Sequence, residues 1–218
     1  MTRAVLAETR TLAELAPARD RCIAVHPVLA DLLPDGGLRR GHVVGCAGPA
    51  ATSLALTLVA RAAANGAWVA AVGMPALGVE AAAELGVPLE RLVLVDAGRS
   101  PAEWAERLAA AADGFELLLT TPPRGAERAA RRVRQRLQAR GAVLVTVGAD
   151  ALGCDVELHT AEGKWEGLGA GHGALLGRRL TVECAGRRVP RPRAAQVWLP
   201  GPEGGIARLN DRLNDTRR

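Results

Sequence analysis

His42-Val43-Val44-Gly45-Cys46-Ala47-Gly48-Pro49-Ala50-Ala51-Thr52-Ser53-Leu54 decides the fold. An apolar run enters a Gly-Pro turn, and the pattern that follows over about 52–64 is rich in Ala and Leu on nearly every face. Strand, glycine turn and buried helix form the setting of a nucleotide-binding P-loop. A working P-loop needs several glycines, so that successive backbone N–H groups can wrap the phosphates. It also needs a lysine that reaches the terminal phosphates and a Ser or Thr hydroxyl for magnesium. Here the second glycine and the lysine are missing, and the one lysine of the chain is Lys164. The fold signal survives where the catalytic signal does not. The expectation is a protein that works by contact and not by catalysis.

The same pattern repeats downstream. Short unbroken apolar runs at 68–72, 92–96, 116–120 and 143–147 have the length and composition of strands buried on both faces. Helical patterns lie between them at about 78–85, 101–112 and 125–139. Ser100-Pro101-Ala102-Glu103 opens one of these with an N-cap, a proline in the first turn and a glutamate at the third position. Asn65-Gly66 closes the helix after the Gly-Pro turn. Alternating strands and helices predict an α/β fold with a mostly parallel sheet flanked by helices. Past residue 150 the helical patterns stop. Runs near 154–160, 179–185 and 196–200 predict an antiparallel C-terminal extension. Residues 1–23 read as a polar N-terminal helix with a weak stripe at Val5, Leu12 and Leu15.

Composition narrows the rest. Of 218 residues 49% are apolar, enough for a substantial core, and the core must be built from Ala, Val and Leu because there is one Phe and no Tyr. The net charge is +5, and all 28 basic residues but Lys164 are arginine. That balance is compatible with nucleic acid or an acidic partner, and equally with a coding bias. No basic cluster is interleaved with aromatics, so no stacking platform for single strands is visible. Cys22, Cys46, Cys154 and Cys184 are scattered without metal-ligand spacing, and Cys46 and Cys184 read as small buried residues in strands. Glu8, Arg10 and Glu14 interrupt any leader-like run, and no apolar stretch is long enough for a membrane span. A reducing cytoplasm is the expected compartment.

Several strings now support a resemblance. Leu33-Pro34-Asp35-Gly36-Gly37-Leu38-Arg39-Arg40-Gly41, Gly48-Pro49, Glu84-Leu85-Gly86-Val87 and Leu180-Thr181-Val182-Glu183, in this order, resemble a RecA-type ATPase core. Within that class they resemble the ImuA family of RecA-related mutagenesis proteins. The likeness covers roughly 24–207, leaving an N-terminal extension at 1–23 and a tail at 208–218. It implies a non-catalytic RecA-like scaffold in the SOS response to DNA damage. Its implied partners are an ImuB-type inactive Y-family polymerase and, through ImuB, an error-prone C-family polymerase in translesion synthesis. RecA, DNA held by a weak contact, and a second copy of the chain are further candidate partners. No cofactor is expected. On the RecA pattern, the lysine position falls near Ser53-Leu54. The magnesium-holding carboxylate position falls at the end of Phe115–Thr121, and the water-activating glutamate falls at Gly73-Met74-Pro75. All three are lost. The DNA-reading loops would be Thr121–Gly125 and Gly148–Gly153, with Arg124 their one basic residue. Two alternatives remain open. One is a degenerate nucleotide- or single-strand-binding recombinase relative, in which Arg39 or Arg40 substitutes for the lysine. The other is a SulA-like cell-division inhibitor.

Three segments carry candidate contacts. The helix at 125–139 presents Arg128, Arg131 and Arg132, with Arg134, Arg136 and Arg140 beyond them, over an apolar face of Ala126, Ala129, Ala130, Val133 and Leu137. Its arginines are either a solvated face or a landing strip for DNA. Gly163 to Gly173 reads as an irregular glycine-rich excursion in which Trp165 is either pinned to the domain or an interface anchor. Ile206, Leu209 and Leu213 recur at helical spacing, so this tail either packs on its own domain or folds into a partner's groove.

Overall fold

A computed structural model describes residues 21–148, 152–168 and 172–209. The expected N-terminal helix lies almost wholly outside them. Its last positions belong instead to a strand, β1 (Cys22–Ala24), paired antiparallel with β2 (Gly37–Arg39) around the short helix α1 (Pro27–Ala30).

The main sheet begins at β3 (Val43–Ala47) and continues through α2 (Ala51–Ala64), β4 (Val69–Val72), α3 (Val79–Glu84) and β5 (Leu92–Val95). Next come α4 (Pro101–Gly114), β6 (Leu117–Thr120), α5 (Ala130–Arg140), β7 (Val143–Val147) and β8 (Val156–Thr160). A C-terminal group follows: β9 (Lys164–Leu168), β10 (Gly173–Ala185), β11 (Arg193–Trp198) and β12 (Ala207–Arg208). The strand order is β12-β11-β10-β8-β3-β7-β6-β4-β5, with β9 paired to β10 outside this path. From β8 to β5 every pairing is parallel, and β10, β11 and β12 add antiparallel. The fold is therefore α/β, a mostly parallel sheet flanked by helices with antiparallel C-terminal strands. Two expectations need correction. The run near 154–160 is only in part antiparallel, because β8 lies parallel to β3 on one side and antiparallel to β10 on the other. The glycine-rich stretch is no irregular excursion, since its two arms pair as the hairpin β9–β10.

Continuous apolar strands follow from coverage on both faces, except at β5. Its apolar run predicts burial on both faces, but it lies at the sheet edge with Leu94 exposed. Side chains alternate along a strand, so successive residues enter opposite layers. Val143 and Val145 face the layer that holds Leu54 and Leu58 of α2, while Leu144 faces the layer of Trp104 and Leu108 of α4 and Val133 and Leu137 of α5. β6 divides the same way, with Leu117 and Leu119 on one side and Leu118 on the other. α2 is buried nearly all round because it packs on β3 and β7 of the main sheet and against α3 and β1. Gly66 ends it at φ +100°, a backbone that glycine adopts without strain.

The cap before α4 forms as its sequence predicts: Ser100 Oγ accepts the Glu103 N–H at 3.2 Å, and Pro101 occupies the first turn. The helix expected over 125–139 is divided, with a 3₁₀ turn at Ala126–Arg128 preceding α5. The two central layers are tied by Asp155, 3% exposed, which accepts the Val43 N–H at 3.0 Å and two hydrogen bonds from Arg134 at 2.8 and 2.9 Å.

Candidate functional site: a closed turn beneath an apolar hairpin

β3 delivers the chain into Gly48-Pro49-Ala50, the place where a P-loop would hold phosphate. Gly48 adopts φ +94°, and a Cβ there would collide with the carbonyl and hydroxyl of Thr160 at the end of β8. Thr160 is fully buried. Its Oγ1 accepts the Ala50 N–H at 3.0 Å and donates to the Ala47 carbonyl at 3.1 Å. The Ala51 N–H is taken by the Gly48 carbonyl at 3.2 Å. Two backbone donors of the turn, those of Ala50 and Ala51, are thus used inside the protein.

The other two positions of the phosphoryl-transfer pattern are filled as well. Thr120 closes β6 where the magnesium-holding carboxylate would stand, and it is fully buried. Its Oγ1 accepts the Trp104 indole N–H at 2.9 Å and donates to the Val72 carbonyl at 2.7 Å. A neutral hydroxyl sealed under an indole cannot ligate a cation. After β4, Gly73 turns at φ +69° with its N–H on the Val95 carbonyl at 2.9 Å, and a Cβ there would lie 2.8 Å from that of Ala97. Asp96 is an exposed strand-end residue whose carboxylate accepts the Gly98 N–H at 2.8 Å and pairs with Arg107. The Gly98 N–H, then Arg107, hold that carboxyl below its ordinary range. Arg39 and Arg40 cannot replace the missing lysine. They pair with Asp35 at 3.8 Å and Glu116 at 2.6 Å, at the end of β3 remote from the turn. Trp104 is the residue that reading the sequence missed. Its signal was the i, i+4, i+7 face it shares with Leu108 and Ala111.

Above the closed turn stands the β9–β10 hairpin. Between them lies a groove of about 640 Å³, lined by Pro49 and Ser53 from α2 and its turn, Glu84 from α3, and Trp165, Leu175 and Arg178 from the hairpin. Trp165 is 39% exposed, with the Arg178 guanidinium 5.1 Å from its ring centroid. Arg178 is held by the Leu199 carbonyl at 3.0 Å. Leu168, Leu175 and Leu176 are each more than half exposed on the same two strands. Of these exposed apolar side chains Leu175 shares the groove with Trp165, and an exposed apolar group of this kind marks an interaction surface.

The remaining candidates are sorted by their surroundings. Of the arginine series, Arg134 is committed to Asp155, and Arg136 and Arg140 both pair with Asp113 of α4. Arg128, Arg131 and Arg132 are exposed and join no salt bridge among the described residues. Val133 and Leu137 on the opposite face are buried, as the periodicity requires. Ile206 is a core residue, 7% exposed, and the chain after it runs extended as β12 against β11. The chain at Ala207–Arg208 is therefore strand where its spacing suggested helix, and Ile206 cannot face a partner. Leu209 is half-buried beside Val28 and Leu32, and Leu213 lies outside the described residues. Of the two expected DNA loops, Thr121–Gly125 is described and the second is described only in part.

Among the described residues no cluster of His, Cys, Asp or Glu could hold a metal, and every buried side-chain N or O has a hydrogen-bond partner. Cys46 and Cys184 are buried in strands, and burial pushes both thiols up, that of Cys184 to about 11. No described helix is long and apolar enough to cross a membrane.

The chain bears a likeness to known proteins. Over 169 residues the chain is 35% identical to the uncharacterized protein Rv3395c of Mycobacterium tuberculosis, covering 72% of this chain and 80% of that one. Residues 31–152, which hold the closed turn, Trp104, Thr120 and the arginine helix, match the model of the MT3502 N-terminal domain. The chain belongs to the MT3502 N-terminal domain family.

Proposed function

We propose that this protein is a non-catalytic RecA-like scaffold of the ImuA kind, acting in DNA-damage-induced mutagenesis through contacts with other proteins. One observation carries the reading. The three places that a P-loop ATPase gives to phosphate, magnesium and attacking water are filled here by Thr160, by the Thr120–Trp104 pair and by Gly73 packed on Ala97. Phosphoryl transfer depends on positioning and charge neutralisation, and none of these groups supplies either. A fold kept without those means is suited to presenting surfaces.

The surface that fits this role is the β9–β10 hairpin. Aromatic anchors dominate binding hot spots, and Trp165 stands at a groove mouth beside the exposed Leu175. The partners follow from the ImuA resemblance: an ImuB-type inactive Y-family polymerase and, through it, an error-prone C-family polymerase. The test is co-purification with the ImuB-type protein, comparing wild type with Trp165→Ala/Leu175→Ala. Complex formation lost in the variant, with its melting temperature near wild type, supports the reading. A wild-type protein that forms no complex, or that releases phosphate from Mg-ATP above a buffer blank, overturns it.

A further inference from the structure

The six arginines at and within α5 are not one population. Arg134 is consumed by Asp155 and the Gly153 carbonyl, and Arg136 and Arg140 are neutralised by Asp113. What remains is a contiguous group at the other end of the helix. Arg124 lies in the loop after β6, Arg128 in the 3₁₀ turn, and Arg131 and Arg132 in the first turn of α5, all exposed. Arg131 and Arg132 are neighbours in the first turn of α5, and Arg128 ends the 3₁₀ turn just before it.

The acidic groups facing this patch do not neutralise it. Glu127 is exposed beside it, and Glu106 faces Arg132 across the α4–α5 groove, but neither approaches a guanidinium of the patch within ion-pair distance. The first turn of α5 contains no acidic residue. Positive side chains therefore stand at the helix end whose dipole is also positive, an arrangement that costs stability and that an external anion relieves.

The patch also lacks what a protein partner would need. Every large exposed apolar side chain among the described residues lies elsewhere, at Trp68, Val79, Leu89, Leu94 and on the β9–β10 hairpin. Protein interfaces are anchored by a desolvated apolar or aromatic centre. Charge without such a centre matches a chain of phosphates, and the absence of aromatics removes base stacking as a source of affinity.

We propose that Arg124, Arg128, Arg131 and Arg132 form a sequence-independent binding surface for the phosphodiester backbone of nucleic acid, separate from the hairpin. Three or four phosphate contacts predict weak binding, with log K falling against log salt at a slope of about −2 to −4. Single strands and duplexes should both bind, without base preference.

The test uses the full chain with fluorescent 20-mers of single- and double-stranded DNA, titrated by anisotropy from low to physiological salt. Arg128→Gln/Arg131→Gln/Arg132→Gln should weaken binding at least tenfold and flatten the salt slope by about 2–3. The charge-matched variant Arg61→Gln/Arg136→Gln/Arg191→Gln should retain most of the affinity. Arg128→Lys/Arg131→Lys/Arg132→Lys should bind nearly as wild type, which separates loss of charge from loss of fold. The proposal is overturned if wild type binds neither DNA at low salt, if the charge-matched variant loses as much, or if the lysine variant fails to bind. Competition by polyglutamate as strong as by unlabelled DNA would reassign the patch to an acidic polypeptide.

Discussion

Replacing Thr160 by valine tests whether the turn before α2 is closed by one hydroxyl. The substitution keeps the branched shape and removes the oxygen. It leaves the buried Ala50 N–H, now satisfied at 3.0 Å, without an acceptor, and it removes a donor from the Ala47 carbonyl. An orphaned buried donor costs about 1–3 kcal/mol, and losing a second hydrogen bond adds about 0.5–1.5 kcal/mol. The expected loss is therefore about 3 kcal/mol, equivalent to a fall in melting temperature of about 6–12 °C for a chain of this size. Thr160→Ser keeps the oxygen and should recover most of that loss. Thermal unfolding followed by circular dichroism reads both variants. Opening the turn should not create affinity for Mg-ATP, because Thr120 and Gly73 still fill the other two positions. A ligand that binds only the folded state raises stability by RT ln(1 + [L]/Kd), so Mg-ATP should leave the midpoint of Thr160→Val unmoved. A fall of less than about 2 °C in Thr160→Val would refute the assignment of the hydroxyl as the closing group.

Two further outcomes follow from the same packing. Burial alone would raise the Asp155 carboxyl, but the Val43 N–H, the hydrogen bonds from Arg134 and its charge outweigh burial and hold it below its ordinary value. Its contribution to stability is present above the unfolded value of about 3.9 and is lost as pH falls through the lower folded value. The urea midpoint of wild type should therefore drop more steeply below about pH 4 than that of Asp155→Asn, which should already be less stable at neutral pH. Ile206→Ala should cost about 2–4 kcal/mol in the same urea assay, since it empties a core position. A cost below about 0.5 kcal/mol would return Ile206 to the surface and reopen the tail as a docking site.

Much of the fold was legible because it rests on local pattern. The unbroken apolar runs at 69–72, 117–120 and 143–147 are long enough only for strands and too apolar for a half-exposed sheet, so they specify parallel strands covered on both faces. Ser100 and Glu103 fix the start of α4 through a bond that closes within three residues. The missing lysine is likewise a fact of composition, and no folding can restore it.

What the chain could not declare lies in contacts between distant residues. Nothing near Gly48 in sequence indicates that Thr160, 110 residues beyond Ala50, will occupy the turn. The Trp104 indole on Thr120 depends on how α4 crosses β6. Six arginines along one segment look alike until α4 brings Asp113 beside two of them and β8 brings Asp155 beside a third. The spacing of Ile206 and Leu209 is equally compatible with helix and with extended chain, and pairing with β11 decided for strand. Hydrophobic periodicity is set within one element by backbone geometry. The neutralising of a charge or the filling of a turn is set by which elements the sheet brings together, and that is a property of the folded chain alone.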